Sequence, residues 1–176
     1  MFLNCLRLWC KGDMQAIDSL KDRKGGLSQE SLLKILPYGK EFLLLDGVVF
    51  LSKDKVVGKR KIHGTEDFMR SHFTDFALMP GVLVIEMMGQ AAMLLARYHL
   101  QTHEENHVLA YAIKHARFFR PVLPGQEVTV EASLKAIYRN KFLIEGVALV
   151  KDKVAEALLT LAMVDKKEFE AKHGVR

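Results

Sequence analysis

Pro80-Gly81-Val82-Leu83-Val84-Ile85-Glu86-Met87-Met88-Gly89-Gln90-Ala91-Ala92-Met93-Leu94-Leu95-Ala96 is the stretch on which the reading of this chain turns. A proline at its start costs no hydrogen bond, because the first N–H groups of a helix have no intrahelical acceptor. The run continues to about Tyr98 and is apolar on nearly every side, which marks a helix buried on most faces. It does not read as a membrane span: Glu86 and Gln90 interrupt a run already shorter than the roughly 20 apolar residues a span requires. Glu86 is the one charge between Pro80 and Ala96. A carboxylate buried without partners is costly, so it is paired, protonated or functional. Upstream stands His72, and a histidine and a carboxylate in apolar surroundings make a candidate acid/base pair if the fold brings them together.

Working outward, Glu127 to Lys135 alternates cleanly, with Val128, Val130, Ala132 and Leu134 on one face, as a half-buried strand does. Polar turns at Arg139-Asn140-Lys141 and Lys151-Asp152-Lys153 separate Phe142–Val150 from Val154–Val164, which predicts consecutive hairpins. Upstream, Ser28 caps a short helix that Pro37 stops. Phe42 to Leu51 and Val56 to Ile62 read as strands, and His63 to Met79 as loop and short helix. An almost wholly apolar helix followed by an antiparallel meander is hidden most simply by a sheet wrapped around it, an α+β architecture. In that arrangement the helix start and the His72 loop sit at a sheet edge, where a second copy can complete a site.

Length and composition fit one soluble domain: 176 residues, 49% apolar and 27% charged. Patterning begins near Leu27, so residues 1–26 are expected to be an extension, poorly ordered or a short helix, and 27–176 the domain. Cys5 and Cys10 lie outside the patterned region and make neither a disulfide framework nor a metal site, which favours free thiols in a cytoplasmic protein. The net charge of +5 (26 basic, 21 acidic residues) is scattered, without the basic stripe and aromatics of a nucleic-acid binder. It is compatible with a solvated basic face, or with attraction to an acidic partner.

Ser71-His72-Phe73-Thr74-Asp75-Phe76-Ala77-Leu78-Met79-Pro80-Gly81-Val82-Leu83-Val84-Ile85-Glu86-Met87-Met88-Gly89-Gln90 resembles the signature of the 3-hydroxyacyl-[acyl-carrier-protein] dehydratases. In that family a His-Phe step is followed at matching spacing by Met-Pro-Gly-Val-Leu, a Glu and a Gln. Leu36-Pro37 with Phe42-Leu43-Leu44-Leu45-Asp46, Arg117 to Gly125, and Val154-Ala155-Glu156-Ala157 extend the resemblance from about Leu32 to Val164. It implies a hot-dog fold, a long central helix wrapped by an antiparallel sheet, and a homodimer with active sites at the interface, with a trimer of dimers as a further level of assembly. It implies an acyl thioester substrate delivered by acyl carrier protein, with neither cofactor nor metal. His72 would remove the α-proton, and Glu86 of the partner subunit would protonate the departing hydroxyl.

That chemistry needs a base at the α-carbon, an acid at the β-oxygen and a donor to the enolate-like thioester oxygen. The Gly81 N–H, at a helix start, suits the third task. Gln90, one turn beyond Glu86, is placed to orient the carboxyl or a water. Each residue also has a structural reading: a hydrogen-bonded histidine, a paired core carboxylate, an amide bonding within the core, and a glycine that lets backbones approach. Met79, Met87, Met88 and Met93 read first as core filler, and Tyr111 as a tunnel-mouth candidate. The chain departs from the family's Gly-His-Phe-Pro at Ser71 and Thr74, and carries Tyr38 and Glu41 where the family has a histidine and a proline. Two other readings stay open: a hot-dog thioesterase, and a carrier-binding paralogue without turnover.

Overall fold

In the computed structural model, which describes residues 16–100 and 105–174, the apolar run forms one helix, α3, Gly81–Tyr98. Ahead of it lie β1 (Leu27–Ser28), α1 (Gln29–Ile35), β2 (Gly47–Leu51), β3 (Lys55–Lys61) and α2 (Asp67–Ser71). After it come β4 (Asn106–Phe118), β5 (Glu127–Tyr138), β6 (Lys141–Leu149), β7 (Lys153–Asp165) and α4 (Lys166–His173). The strands form one antiparallel sheet in the order β1-β2-β3-β5-β6-β7-β4. This is the helix wrapped by a sheet that the hot-dog reading expects.

α3 is long and apolar enough to cross a membrane by composition, but 72% of it is buried inside the protein, as a core helix should be. The expected alternation holds on β5, where Val128, Val130 and Ala132 are inaccessible, and continues on β6 through Phe142, Ile144 and Ala148. Met79, Met87, Met88 and Met93 are all buried in the core. At Gly146 the sheet touches the helix so closely that a Cβ there would stand 2.9 Å from Met88 Sδ and 3.0 Å from Met88 Cβ. Ser28 caps α1, its hydroxyl accepting from the Ser31 N–H at 3.2 Å.

Three elements differ from the sequence expectation. The segment 42–46 is not strand: the Phe42 carbonyl and Leu44 N–H bond the side chain of Gln90 instead of a neighbouring strand, and Leu43, Leu44 and Leu45 are all buried. β4 escapes a search for alternating polarity because its exposed positions include Leu109, Tyr111 and Ile113. α4 has no buried residue, so it carries no apolar stripe to read; Asp165 caps it by accepting from the Glu168 N–H at 2.8 Å.

The expectation for residues 1–15 lies outside the described residues. Of the rest of the expected extension, Ile17 is buried in the core. Asp18 accepts from the Tyr98 hydroxyl at 2.8 Å, and Lys21 donates to that hydroxyl and to the Leu51 carbonyl, each at 3.1 Å. These contacts tie residues 17–21 to the end of α3.

Gly146→Ala should lower stability by about 1–3 kcal/mol, because the added methyl drives β6 off Met88. Urea unfolding will show this as a lower midpoint with an unchanged slope.

Candidate active site

The blocks singled out in the sequence converge at the N-terminal end of α3. α2 ends at Ser71, and the chain from His72 to Leu78 closes on itself: Phe73 N–H donates to the Phe76 carbonyl and Leu78 N–H to the His72 carbonyl, both at 2.9 Å. Met79 N–H then donates to the Val122 carbonyl at 2.9 Å, docking this loop on the segment after β4, and Phe119 N–H donates to Val154 of β7 at 2.8 Å. Pro80 caps α3, and its carbonyl accepts from Leu83 N–H at 2.9 Å.

His72 is half-buried, and its Nδ1 lies 3.1 Å from the Leu78 carbonyl oxygen. A carbonyl only accepts, so in the neutral ring Nδ1 carries the proton and Nε2 keeps its lone pair, the arrangement a general base needs. The ring stacks on Phe73 with centroids 3.9 Å apart, across a cis peptide bond.

Glu86 lies partly buried on α3, and burial pushes its carboxyl above the ordinary glutamate value of 4.5, a rise that the hydrogen bond from Gln90 partly offsets. Gln90 is wholly inaccessible and fully used: its Nε2 donates to the Glu86 carboxylate at 3.1 Å and to the Phe42 carbonyl at 2.9 Å, and its Oε1 accepts from Leu44 N–H at 2.8 Å. Gln90 therefore ties the 42–44 segment to the helix and also bonds the Glu86 carboxylate. Glu86 borders a chamber of about 280 Å³ whose other walls, among them Ile85, Gly89, Ala110, Ala112 and Leu159, are all apolar.

Gly81 is the first residue of α3, so its N–H lacks an intrahelical acceptor. Among the described residues that N–H has no backbone partner. The Phe118 ring lies across the glycine: a Cβ there would fall 2.8 Å from Phe118 Cε1. Gly81 also borders a second chamber, of about 470 Å³, with Leu78, Val84, Phe119 and Pro121.

Glu86 and Gln90 are thus joined on α3, while Gly81, at the start of the same helix, borders the other chamber. Among the described residues no hydrogen bond or ion pair joins His72 to Glu86 within one chain. Tyr111 is no part of either chamber wall; its neighbours Ala110 and Ala112 line the smaller one, while the tyrosine lies exposed under Lys141, whose Nζ is 3.5 Å from the ring centroid. Tyr38, read from sequence only as a departure, stands within electrostatic reach of Glu86: its hydroxyl is pushed up to about 12 by burial and, secondarily, by the Glu86 charge. Its place was not legible because the coupling joins residues far apart in the chain. No group of three metal-ligating side chains occurs among the described residues.

Fold and site together define a hot-dog protein with an acid held in its core helix. The FabA-like domain family matches residues 36–157. The 3-hydroxyacyl-[acyl-carrier-protein] dehydratase FabZ of Petrotoga mobilis is 36% identical over 126 residues, covering 71% of this chain and 88% of that protein. The FabZ of Variovorax paradoxus is 37% identical over 141 residues, covering 78% and 94%. The chain belongs to the FabA-like family of 3-hydroxyacyl-[acyl-carrier-protein] dehydratases. Among solved structures it is similar in fold to the dehydratase heterocomplex ApeI:P of Xenorhabdus doucetiae, with TM-score 0.67, 18% identity, and coverage of 78% of this chain and 93% of that one. The fluoroacetyl-CoA thioesterase FlK shares the fold at TM-score 0.58 and 16% identity, covering 68% and 92%.

Two outcomes follow. Gln90→Leu strands the Phe42 carbonyl and Leu44 N–H, and should cost about 2–4 kcal/mol of stability in urea unfolding. Because folding raises the Glu86 carboxyl above 4.5, its contribution to stability is fully present below the unfolded value and is lost as pH rises through the folded one. Glu86→Gln escapes that loss, so its Tm should gain on wild type as pH is raised from about 4 toward neutrality and match it most closely in acid.

Proposed function

We propose that the chain dehydrates a 3-hydroxyacyl thioester, carried by acyl carrier protein, to the trans-2-enoyl thioester, with His72 as base and Glu86 as acid. His72 Nε2 takes the proton from the α-carbon. The electron pair of that C–H bond forms the α–β double bond as the β-carbon–oxygen bond breaks, and the protonated Glu86 carboxyl supplies the proton that lets the hydroxyl leave as water. The Gly81 N–H stabilises the negative charge that develops on the thioester oxygen, and Gln90 holds the carboxyl in place. The proton gained by His72 returns to Glu86 between turnovers, so atoms and charge balance without a cofactor.

The observation that carries this reading is the setting of Glu86: a carboxyl raised by burial, with one polar partner, bordering an otherwise apolar chamber. Such a chamber suits an acyl tail, and a carboxyl whose neutral form burial favours suits a leaving hydroxyl. That no hydrogen bond joins His72 to Glu86 within one chain is in keeping with a site completed by a second copy. β4, at the end of the sheet, supports that copy as well, because a 13-residue edge strand exposing Leu109, Tyr111, Ile113 and Phe118 is a template for pairing with its like. The +5 charge suits an acidic carrier partner, and the cytoplasm is the compartment proposed.

Purified protein should convert a 3-hydroxyacyl-carrier substrate to the conjugated enoyl product, followed by its ultraviolet absorbance. His72→Ala and Glu86→Gln should each lower that rate by about 10²–10⁴-fold. Release of free thiol instead would make the chain a thioesterase, and carrier binding without either product would make it a binding paralogue.

A further inference from the structure

One of the groups that hold Gln90 leads on to a cation. The Gln90 Oε1 accepts from the Leu44 N–H at 2.8 Å, and the carbonyl of that same peptide unit, on Leu43, accepts from Arg60 Nη1 at 3.1 Å. The bonds therefore run in one direction. The Arg60 guanidinium donates to the 43–44 peptide, the peptide donates to the Gln90 amide, and the amide donates to the Glu86 carboxylate at 3.1 Å. Two planar amides thus join a guanidinium on β3 to a carboxyl on α3.

Arg60 is itself held in place. Its side chain is only 15% exposed, and its other terminal nitrogen, Nη2, stands 4.0 Å from Glu66 Oε1. Glu66 is fixed in turn, its carboxylate oxygens accepting from the N–H groups of His63 at 2.9 Å and Gly64 at 2.7 Å. Burial pulls the Glu66 carboxyl up, but its backbone N–H bonds, and after them the Arg60 charge, hold it below the ordinary value of 4.5. An anion therefore faces the guanidinium at neutral pH. The planar fork serves both neighbours at once, Leu43 through Nη1 and Glu66 through Nη2. The arrangement leaves Arg60 Nε buried and without a partner among the described residues, a cost that an apolar side chain in its place would avoid. Packing alone is no reason for a guanidinium there.

In a partly dry interior, hydrogen bonds in series polarise one another, so a cation at the head strengthens the donation at the far end. We propose that Arg60 is a positioning residue for the acid: as the head of the series Arg60, Leu43–Leu44 peptide and Gln90, it sets the strength and direction with which Gln90 donates to Glu86. This rests on the reading of the previous subsection, in which Glu86 gives its proton to the departing hydroxyl. The series then stabilises the carboxylate that remains. Arg60 touches no reacting group. Every member of the series belongs to one chain, so the device is complete within a protomer whichever copy supplies the base.

The test titrates the Glu86 carboxyl by carbon-13 NMR in wild type, Arg60→Met, Arg60→Gln and Arg60→Lys, its signal identified by its loss in Glu86→Gln. Arg60→Met removes the head of the series and should raise the Glu86 titration above that of wild type. Arg60→Lys, whose ammonium can still donate to Leu43, should stay close to wild type. Loss of packing alone does the opposite, because a looser site admits water and moves the carboxyl down toward 4.5. A titration unchanged or lowered in Arg60→Met therefore overturns the proposal. With a 3-hydroxyacyl-carrier substrate, Arg60→Met should also lower kcat about tenfold and leave KM within about twofold, as loss of transition-state stabilisation does. A change in KM alone overturns it. Should Arg60→Met fail to fold, Arg60→Gln, which removes the charge and keeps a polar side chain, decides by the same rise. Wild-type protein that makes no enoyl product overturns Glu86 as the dehydrating acid, while the carboxyl titration still decides whether Arg60 acts on it.

Discussion

Everything in this protein follows from the need to cover α3. A helix apolar on nearly every side cannot rest on a single layer, and an antiparallel sheet curved around it is the economical answer. The sheet meets it with rows of inaccessible Val, Ile and Ala side chains, and with a bare glycine at 146 where Met88 presses against β6. Gln90 is the polar exception at the centre of this packing. With every hydrogen-bonding atom engaged it behaves as a core residue, and the group it holds outward is Glu86.

The same burial that makes α3 a core helix prepares its chemistry. At its start, the first N–H is left without an intrahelical acceptor, beneath a phenylalanine ring that only a glycine can accept. About a turn and a half on, partial removal of Glu86 from water favours the neutral carboxyl, which is the form an acid must have before it can give up a proton. His72 is prepared by other means. Its loop is closed by its own backbone bonds, and a carbonyl within that loop selects the tautomer. The family's glycine and proline around this histidine are replaced by Ser71 and Thr74, and the loop nonetheless closes, because its backbone bonds join Phe73 to Phe76, Leu78 to His72 and Met79 to Val122 and involve neither of those two residues.

Neighbouring residues show how chemistry and packing share positions. Tyr38 stands where the family has a histidine, so a buried phenol, its hydroxyl pushed up to about 12, lies within electrostatic reach of Glu86. Phe118 completes β4, forbids a side chain at Gly81 and divides two chambers. Changing such a residue alters the shape of the site before it alters the stability of the fold, since more than half of its surface is open.

By itself the sequence determined the central helix, the Ser28 cap of α1, the β5-to-β7 meander and the identity of the candidate residues. Each of these rests on local rules: a helical run, a period of two, turn residues, and the i to i+4 spacing that lets Gln90 reach Glu86. Only the tertiary structure decided the rest. The 42–46 segment reads as strand until its polar groups are seen to bond a glutamine 46 and 48 residues away. β4 carries no alternation because its outer positions are apolar too, and residues 17–21 show their attachment only through Tyr98, some 80 positions later. Above all, that no hydrogen bond joins His72 to Glu86 within one chain is a fact of three dimensions. Spacing along a chain limits which groups can meet on one helix, but which groups face one another across a fold is set by how the sheet closes around it.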